Sequence, residues 1–406
     1  MAEAKFSLSH SNNAAAFNDQ IRCKFIQAPP PQASLKTGNL YSIEKFQTSK
    51  FCRVRCASFH PIHSNVLACG LRDCNRVIVF EGPDSSSALT KWEANSRQLI
   101  VGEINEFVTS VEWNNDGTQL AAICYNGLIA VWNYPNNAKL FEYPTMILQH
   151  SEIVWNPFDP NVLAVYKPPT SVNDFLNEFV ILCSTTQQPL LKRFVSESDW
   201  FSTVKWISSN RIACGYESGE LKILEVETDD NNVTMLEGHD DERVRSLAWN
   251  EKLKCLASCS GDKTIKIWAA DSNILVYSLE LEKLYCRSIV WYSSKEDKGE
   301  ELDLIACGLF NGDIVIWSPC ADEHKYLREH SSPVLQVLFS PNGEFLVSNG
   351  YEEAVVVWST KTWEPIYELR GKFWINSWDN TSCKLAISNR MEELMTVIEI
   401  NPSKSH

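Results

Sequence analysis

The stretch RVRSLAWNEKLKCLASCSGDKTIKIWA, residues 243–269, decides the fold. It holds three mainly apolar runs of about six residues separated by polar turns, which reads as three consecutive strands. A fourth run, ILVYSLEL at 274–281, follows, and the pattern restarts at YCRSIVW. Four strands in about 40 to 45 residues is the period of a propeller blade.

Working outward, other copies align on the aromatic that ends the first strand and on the apolar or Trp position that ends the third. Blade one, 54–80, is anchored on Phe59 and Phe80, and blade two, 108–132, on Trp113 and Trp132. Blade three, 151–188, is degenerate: Trp155 is followed by an insertion and then EFVILCS. Blade four, 202–226, keeps Trp206 but has Leu224 in the later position. The quoted copy is blade five. Blade six, 286–317, carries a charged insertion, Lys295 to Glu301, expected to be a solvated loop. Blade seven, 334–358, is anchored on Phe339 and Trp358, and blade eight spans 373–400. Nothing after Ile400 completes that last blade, so LYSIEKF, 40–46, is expected to add its outer strand and remove an exposed edge. The fold expected is an all-β propeller of eight blades over 39–401, with seven as the alternative if the third unit is only a loop.

Bulk composition agrees with a large folded core: 44% hydrophobic residues and 14 Trp in 406 residues exclude disorder of the whole chain. Residues 1–38, rich in Ala, Asn, Ser and Gln and containing Pro29, Pro30 and Pro31, read as a disordered tail, and 402–406 as a short one. A net charge of −14 argues against direct binding to nucleic acid or anionic membranes. The opening residues lack the pattern of a secretory signal and no apolar run approaches about 18 residues, so an intracellular chain with reduced cysteines is expected. Cys52, Cys56, His60 and His63 resemble a zinc-ligand series, but on a strand residues four apart stand about 13 Å from one another, so no metal is expected. No cofactor, small-molecule substrate or catalysis is expected either: GxxxxGK[ST], HExxH and GxSxG are absent, and the SxxK match at Ser260–Lys263 sits in a blade turn.

Blade five also carries Gly238-His239, Ser258, Asp262 and Trp268, the residue set of WD40 repeats, which it resembles. A buried His bridging Asp and Ser beside a Trp satisfies polar groups inside the sheet, so His239, Ser258, Asp262 and Trp268 are expected to form a structural tetrad rather than a catalytic triad. Blade seven keeps His330, Ser348 and Trp358 with Glu352 for Asp, while blades two and six have Asn126 and Asn311 at that position.

From about residue 50 to 400 the chain resembles the transducin-β-like family of corepressor subunits. The resemblance rests on FVTSVEWN at 107–114, LASCSGDKTIKIW at 256–268, the blade-six insertion and QVLFSPNG at 336–343. It implies a nuclear protein, with the cytoplasm as the alternative location, that joins corepressor and histone deacetylase complex subunits as a scaffold. Members of that family carry an N-terminal LisH and F-box-like region, which residues 1–40 are too short and too polar to hold. The alternative is a substrate receptor or adaptor of a ubiquitin ligase, another use of WD40 rings.

In a WD40 propeller, one face is lined by the residue four before the first-strand aromatic and by the residue just before the turn Asp. The first set here is Arg55, Thr109, Ser151, Ser202, Arg245, Arg287, Leu335 and Trp374; the second is Arg72, Tyr125, Glu217, Gly261, Phe310, Tyr351 and Arg390. Five of these are Arg, in a chain with 14 Arg among 406 residues. Arg and large aromatics dominate interface hot spots, so this face is expected to bind an acidic or phosphorylated peptide of another protein. The competing reading is that these Arg pair with neighbouring acids, as Asp240, Asp241 and Glu242 lie beside Arg243 and Arg245.

Overall fold

The computed structural model describes residues 41–47, 53–82, 96–104, 106–147, 151–168, 177–195, 200–226, 233–240, 242–281, 284–293, 303–321, 323–389 and 394–400. The two expected tails and the blade-six insertion lie outside these residues. The described residues form eight four-stranded antiparallel sheets. The fold is an eight-bladed β-propeller.

In blade five, Val244–Asn250, Cys255–Ser260, Thr264–Ala269 and Ile274–Glu280 follow one another as a meander. Burial along the blade explains its composition. Every residue of the second strand, CLASCS, is buried, so it uses small and apolar side chains; the fourth strand runs from exposed through half-buried to buried positions and admits polar ones. The weak third unit is a complete blade: Glu152–Trp155, Val162–Tyr166, Asn177–Cys183 and Gln188–Val195 pair in order. That settles eight blades over seven. In the eighth, Tyr41–Gln47 pairs antiparallel with Leu394–Ile400, Tyr41 opposite Ile400 and Gln47 opposite Leu394, so an N-terminal strand supplies the outer edge as expected.

By contacts the described chain divides into two compact units. One comprises 202–207 and 211–370 and holds blades four to seven. Its blades pack face to face: Leu221, Ile223, Leu247, Leu256 and Trp268 fill one seam, and Cys259, Ile265, Ile289, Ile305 and Trp317 the next. Trp206, Trp268, Trp317 and Trp358 are fully buried, each costing about 3–5 kcal/mol if cut back to Ala. The other unit comprises the described residues of 41–201, 208–210 and 371–400 and holds blades one to three and eight. Leu67, Ile78 and Phe80 pack there against Ala386, Met395 and Val397, and Trp113 and Trp132 against Val66 and Val79.

The innermost strand of a blade has one edge without a strand neighbour, which would leave amides unsatisfied. Side chains of the preceding blade fill this role. Ser110 Oγ accepts from the amide of Ile153 at 3.4 Å, Ser288 Oγ from that of Val337 at 3.3 Å, and Ser377 Oγ from that of Phe59 at 2.9 Å. The first-strand Trp works in the opposite sense: the Trp113 and Trp155 indoles donate to the carbonyls of Ser58 and Glu112 at 3.1 and 3.0 Å. In blades two and three the aromatic used to align the repeats is therefore also a polar strap between blades, whereas the Trp249 indole donates within its own blade to Glu251.

The zinc-like series folds differently from the straight strand assumed for it. The strand Val54–Phe59 stops before His60, and the turn that follows brings the His60 and His63 rings to 4.7 Å. Both His60 nitrogens are taken up by the backbone: Nε2 meets the Gly117 carbonyl at 2.9 Å, and Nδ1 accepts from the amides of Ile62 and His63. Trp113 and Tyr134 close over the ring at 4.8 and 5.0 Å. Burial pushes the His60 pKa down to about 4, against the Gly117 hydrogen bond, which favours the proton. Cys52 lies outside the described residues.

Candidate binding face

The tetrad residues of blade five meet in one hydrogen-bonded chain. The Trp268 indole donates to Ser258 Oγ at 3.0 Å, Ser258 Oγ and His239 Nε2 are 2.8 Å apart, and His239 Nδ1 and Asp262 Oδ2 are 2.8 Å apart. The whole series is satisfied if Nδ1 carries the proton and donates to Asp262. Asp262 also accepts from the Thr264 amide at 2.9 Å, which fixes the turn between the second and third strands. Burial opposes the Asp262 charge, but the His239 hydrogen bond and charge outweigh it and hold the carboxyl below its ordinary pKa. The hydroxyl of Ser258 is fully enclosed, which suits a structural strut and not a nucleophile.

Blade seven repeats the network with a longer acid. Glu352 bonds His330 Nδ1, His330 Nε2 lies 2.7 Å from Ser348 Oγ, and the Trp358 indole donates to Ser348 at 2.8 Å. Asn126 and Asn311 keep only the turn half of the Asp role, accepting from the amides of Leu128 and Asp313 at 3.2 and 3.1 Å. In blade six Cys307 stands at the Ser258 position, and the Trp317 indole nitrogen is buried without a hydrogen-bond partner.

The positions read as a face share a backbone device. The inner strand slips register between Val54 and Cys56, Val108 and Ser110, Val244 and Ser246, Cys286 and Ser288, and Val334 and Gln336. Each slip is a β-bulge, and the extra residue is Arg55, Thr109, Arg245, Arg287 or Leu335. Bulges re-aim a side chain and end regular pairing, so the spacing of four from the aromatic has a structural cause. Blade eight departs from it. Its slip falls between Ile375 and Ser377, leaving Asn376 as the extra residue, while Trp374 pairs regularly with Ser388 and is half-buried.

The second set is tied to the residue two before each bulge. The amides of Arg72, Tyr125, Gly261, Phe310 and Tyr351 donate to the carbonyls of Arg53, Phe107, Arg243, Tyr285 and Pro333 at 2.7 to 3.2 Å. These five acceptors, six residues before each first-strand aromatic, were missed by sequence reasoning, although their spacing is as regular as that of the two sets used.

Not every position in the two sets is a surface. Thr109 and Ser151 are buried with their hydroxyls 3.1 Å apart, and Ser202 is buried against the Gly215 carbonyl at 2.9 Å. In the unit of blades one to three and eight, Arg53 forms an ion pair with Asp73 at 2.8 Å, and Arg55 lies over the Phe107 ring at 5.4 Å. Tyr125 packs on the same ring at 4.5 Å, and Arg72 is exposed. Arg390 lies outside the described residues.

In the unit of blades four to seven, Arg243 forms an ion pair with Glu217 at 2.8 Å. Burial raises the Glu217 pKa, with Arg243 and Arg245 pulling against it. Arg245 and Arg287 are exposed, and among the described residues neither forms an ion pair. Desolvation, then the charge of Arg245, lowers the Arg287 pKa, so the two guanidinium groups sense each other. Tyr285, two residues before Arg287, and Phe310 are 45% and 55% exposed, and Tyr351 of blade seven is 72% exposed, large values for aromatic side chains. Leu335 is half-buried.

Three stretches, 95–133, 230–269 and 322–359, match the family described as WD domain, G-beta repeat. These three stretches are WD40 repeats. Human F-box-like/WD repeat-containing proteins TBL1Y and TBL1X are each 29% identical to this chain over 147 residues, 34% of its length. It spans only 28% and 25% of their lengths. The anaphase-promoting complex subunit cdc20 of Dictyostelium discoideum is 20% identical over 66% of this chain and 52% of its own. Among solved structures, the C-terminal WD40 domain of Sif2 superposes with a TM-score of 0.68 at 14% identity, covering 88% of this chain and 98% of that one, which bears on the fold alone.

Proposed function

We propose that this WD40-repeat protein is a non-enzymatic scaffold of a nuclear corepressor or chromatin complex, and that its blade ends around Arg245 and Arg287 take an acidic or phosphorylated peptide from a partner. One observation carries the peptide reading: two exposed arginines without an ion pair among the described residues, in a chain of net charge −14. An Arg patch on an acidic background attracts anionic segments and repels basic ones. The corepressor reading draws on the 29% identity to TBL1X and TBL1Y.

A second reading, a substrate receptor or adaptor of a ubiquitin ligase, draws on the longer though weaker match to the anaphase-promoting complex subunit cdc20, over 66% of this chain. Affinity purification of the full chain from cells, followed by mass spectrometry, separates the two. Corepressor and deacetylase subunits support the first reading, and ubiquitin-ligase subunits the second. Repeating it with Arg245→Glu/Arg287→Glu tests the face, because retention of every partner removes it.

A further inference from the structure

Arg245 and Arg287 are equivalent bulge residues on the neighbouring inner strands Val244–Asn250 and Cys286–Ser293. Their like charges repel, and a single carboxylate between them leaves one charge uncompensated. A phosphate monoester carries about −1.5 to −2 at pH 7 and offers three acceptor oxygens, enough to engage both guanidinium groups. Two nearby acids do not fill the gap. Glu217 is held by Arg243, and the Glu242 carboxylate lies over Gly261, where it would stand 2.8 Å from an added Cβ.

The aromatic residues adjoin the same pair. Tyr285 lies two residues before Arg287, just ahead of the strand Cys286–Ser293, and its carbonyl accepts from the Phe310 amide at 2.9 Å. The Tyr285 and Phe310 rings meet edge to face at 6.3 Å, and Lys263 Nζ lies 5.4 Å from the Tyr285 ring. Apolar area is thus left in water next to a concentration of positive charge, an arrangement that favours a ligand with an anionic group beside an apolar one.

We propose that Arg245 and Arg287 clamp one phosphorylated Ser or Thr of a partner peptide, while Tyr285 and Phe310 seat an apolar side chain within two residues of it. This rests on the peptide-binding reading of the face and narrows it to a two-part motif.

The test uses the immobilised full chain and three degenerate peptide libraries with a central phosphothreonine, threonine or glutamate. The phosphothreonine library is expected to be retained about 10-fold better than the other two, with apolar residues enriched beside the phosphate. Arg245→Lys/Arg287→Lys keeps the charge but loses the bidentate fork, and is expected to lose most of that advantage. Tyr285→Ala/Phe310→Ala is expected to keep phosphate dependence and lose the apolar enrichment. These side chains are exposed, and a melting curve for each variant checks that it remains folded.

Equal retention of the glutamate and phosphothreonine libraries overturns the clamp, as does unchanged retention by the lysine variant. Unchanged enrichment in the alanine variant overturns the aromatic seat. If cellular partners are lost on Arg245→Glu/Arg287→Glu but no library is retained, the motif fails and the face stands. If those partners are kept, both fail.

Discussion

The two compact units use the same residue types to different ends. In the unit of blades four to seven, His239 and His330 are bridged to acids and serines inside their sheets, while Arg245 and Arg287 stand exposed without an ion pair among the described residues. In the other unit His60 is held by backbone groups and enclosed by Trp113 and Tyr134, Arg53 is paired with Asp73, and Arg55 is laid over Phe107. An arginine at a recurring blade position is therefore not yet a binding residue. What decides is whether a neighbouring carboxylate or ring has already engaged it.

Inverting charge in each unit separately is expected to give the largest difference between them. Arg245→Glu/Arg287→Glu is expected to weaken capture of an acidic or phosphorylated partner by 100-fold or more, on the order of 3 kcal/mol, whereas Arg53→Glu/Arg55→Glu changes it less than about 3-fold. Equal losses, measured by titration of the same labelled partner, would mean that the ion pair and the ring stacking do not matter.

The histidines come next. His239→Ala leaves Asp262 and Ser258 without their buried partner and is expected to lower unfolding stability by about 2–4 kcal/mol in denaturant titrations. Glu352→Asp in blade seven restores the shorter acid of blade five and is expected to shift stability by less than about 1 kcal/mol.

His60 gives the other unit a pH signature. Its folded pKa is about 4 against an ordinary 6.5, so between those values the unfolded chain takes up a proton that the folded one does not. Stability is expected to fall as the pH drops through that window, by up to about 3 kcal/mol at its acid end, with no contribution from His60 above it. Unfolding midpoints of the wild type and His60→Gln across that range check the sign, since the variant should lose this part of the slope.

The smallest expected effect concerns the inner-strand edges. Ser288→Ala removes the acceptor for the Val337 amide and is expected to cost about 1 kcal/mol.

The strand pattern of 243–269, its repetition and the need for an outer strand beside Leu394–Ile400 were legible in the sequence, because burial imposes a period on composition whatever the neighbours are. The residues of the tetrad were legible as well, since fixed spacing within a blade brings His239, Ser258, Asp262 and Trp268 together. The face was only partly legible. The same spacing that selects Arg245 and Arg287 also selects Thr109, Ser151 and Ser202, which are buried, and Trp374, which lies outside the bulge of its blade. It passed over Tyr285, which is exposed and is tied to Phe310 by a backbone hydrogen bond just outside the two strands.

Local periodicity and turn chemistry act over a few residues, so the repeating blades and their internal polar struts could be read from the chain, while the count of eight needed the strand pairing of the weak third unit. Tertiary structure alone decided which arginines were paired. Arg53 meets Asp73 across 20 residues and Arg243 meets Glu217 from the preceding blade, contacts that no spacing rule along the chain specifies.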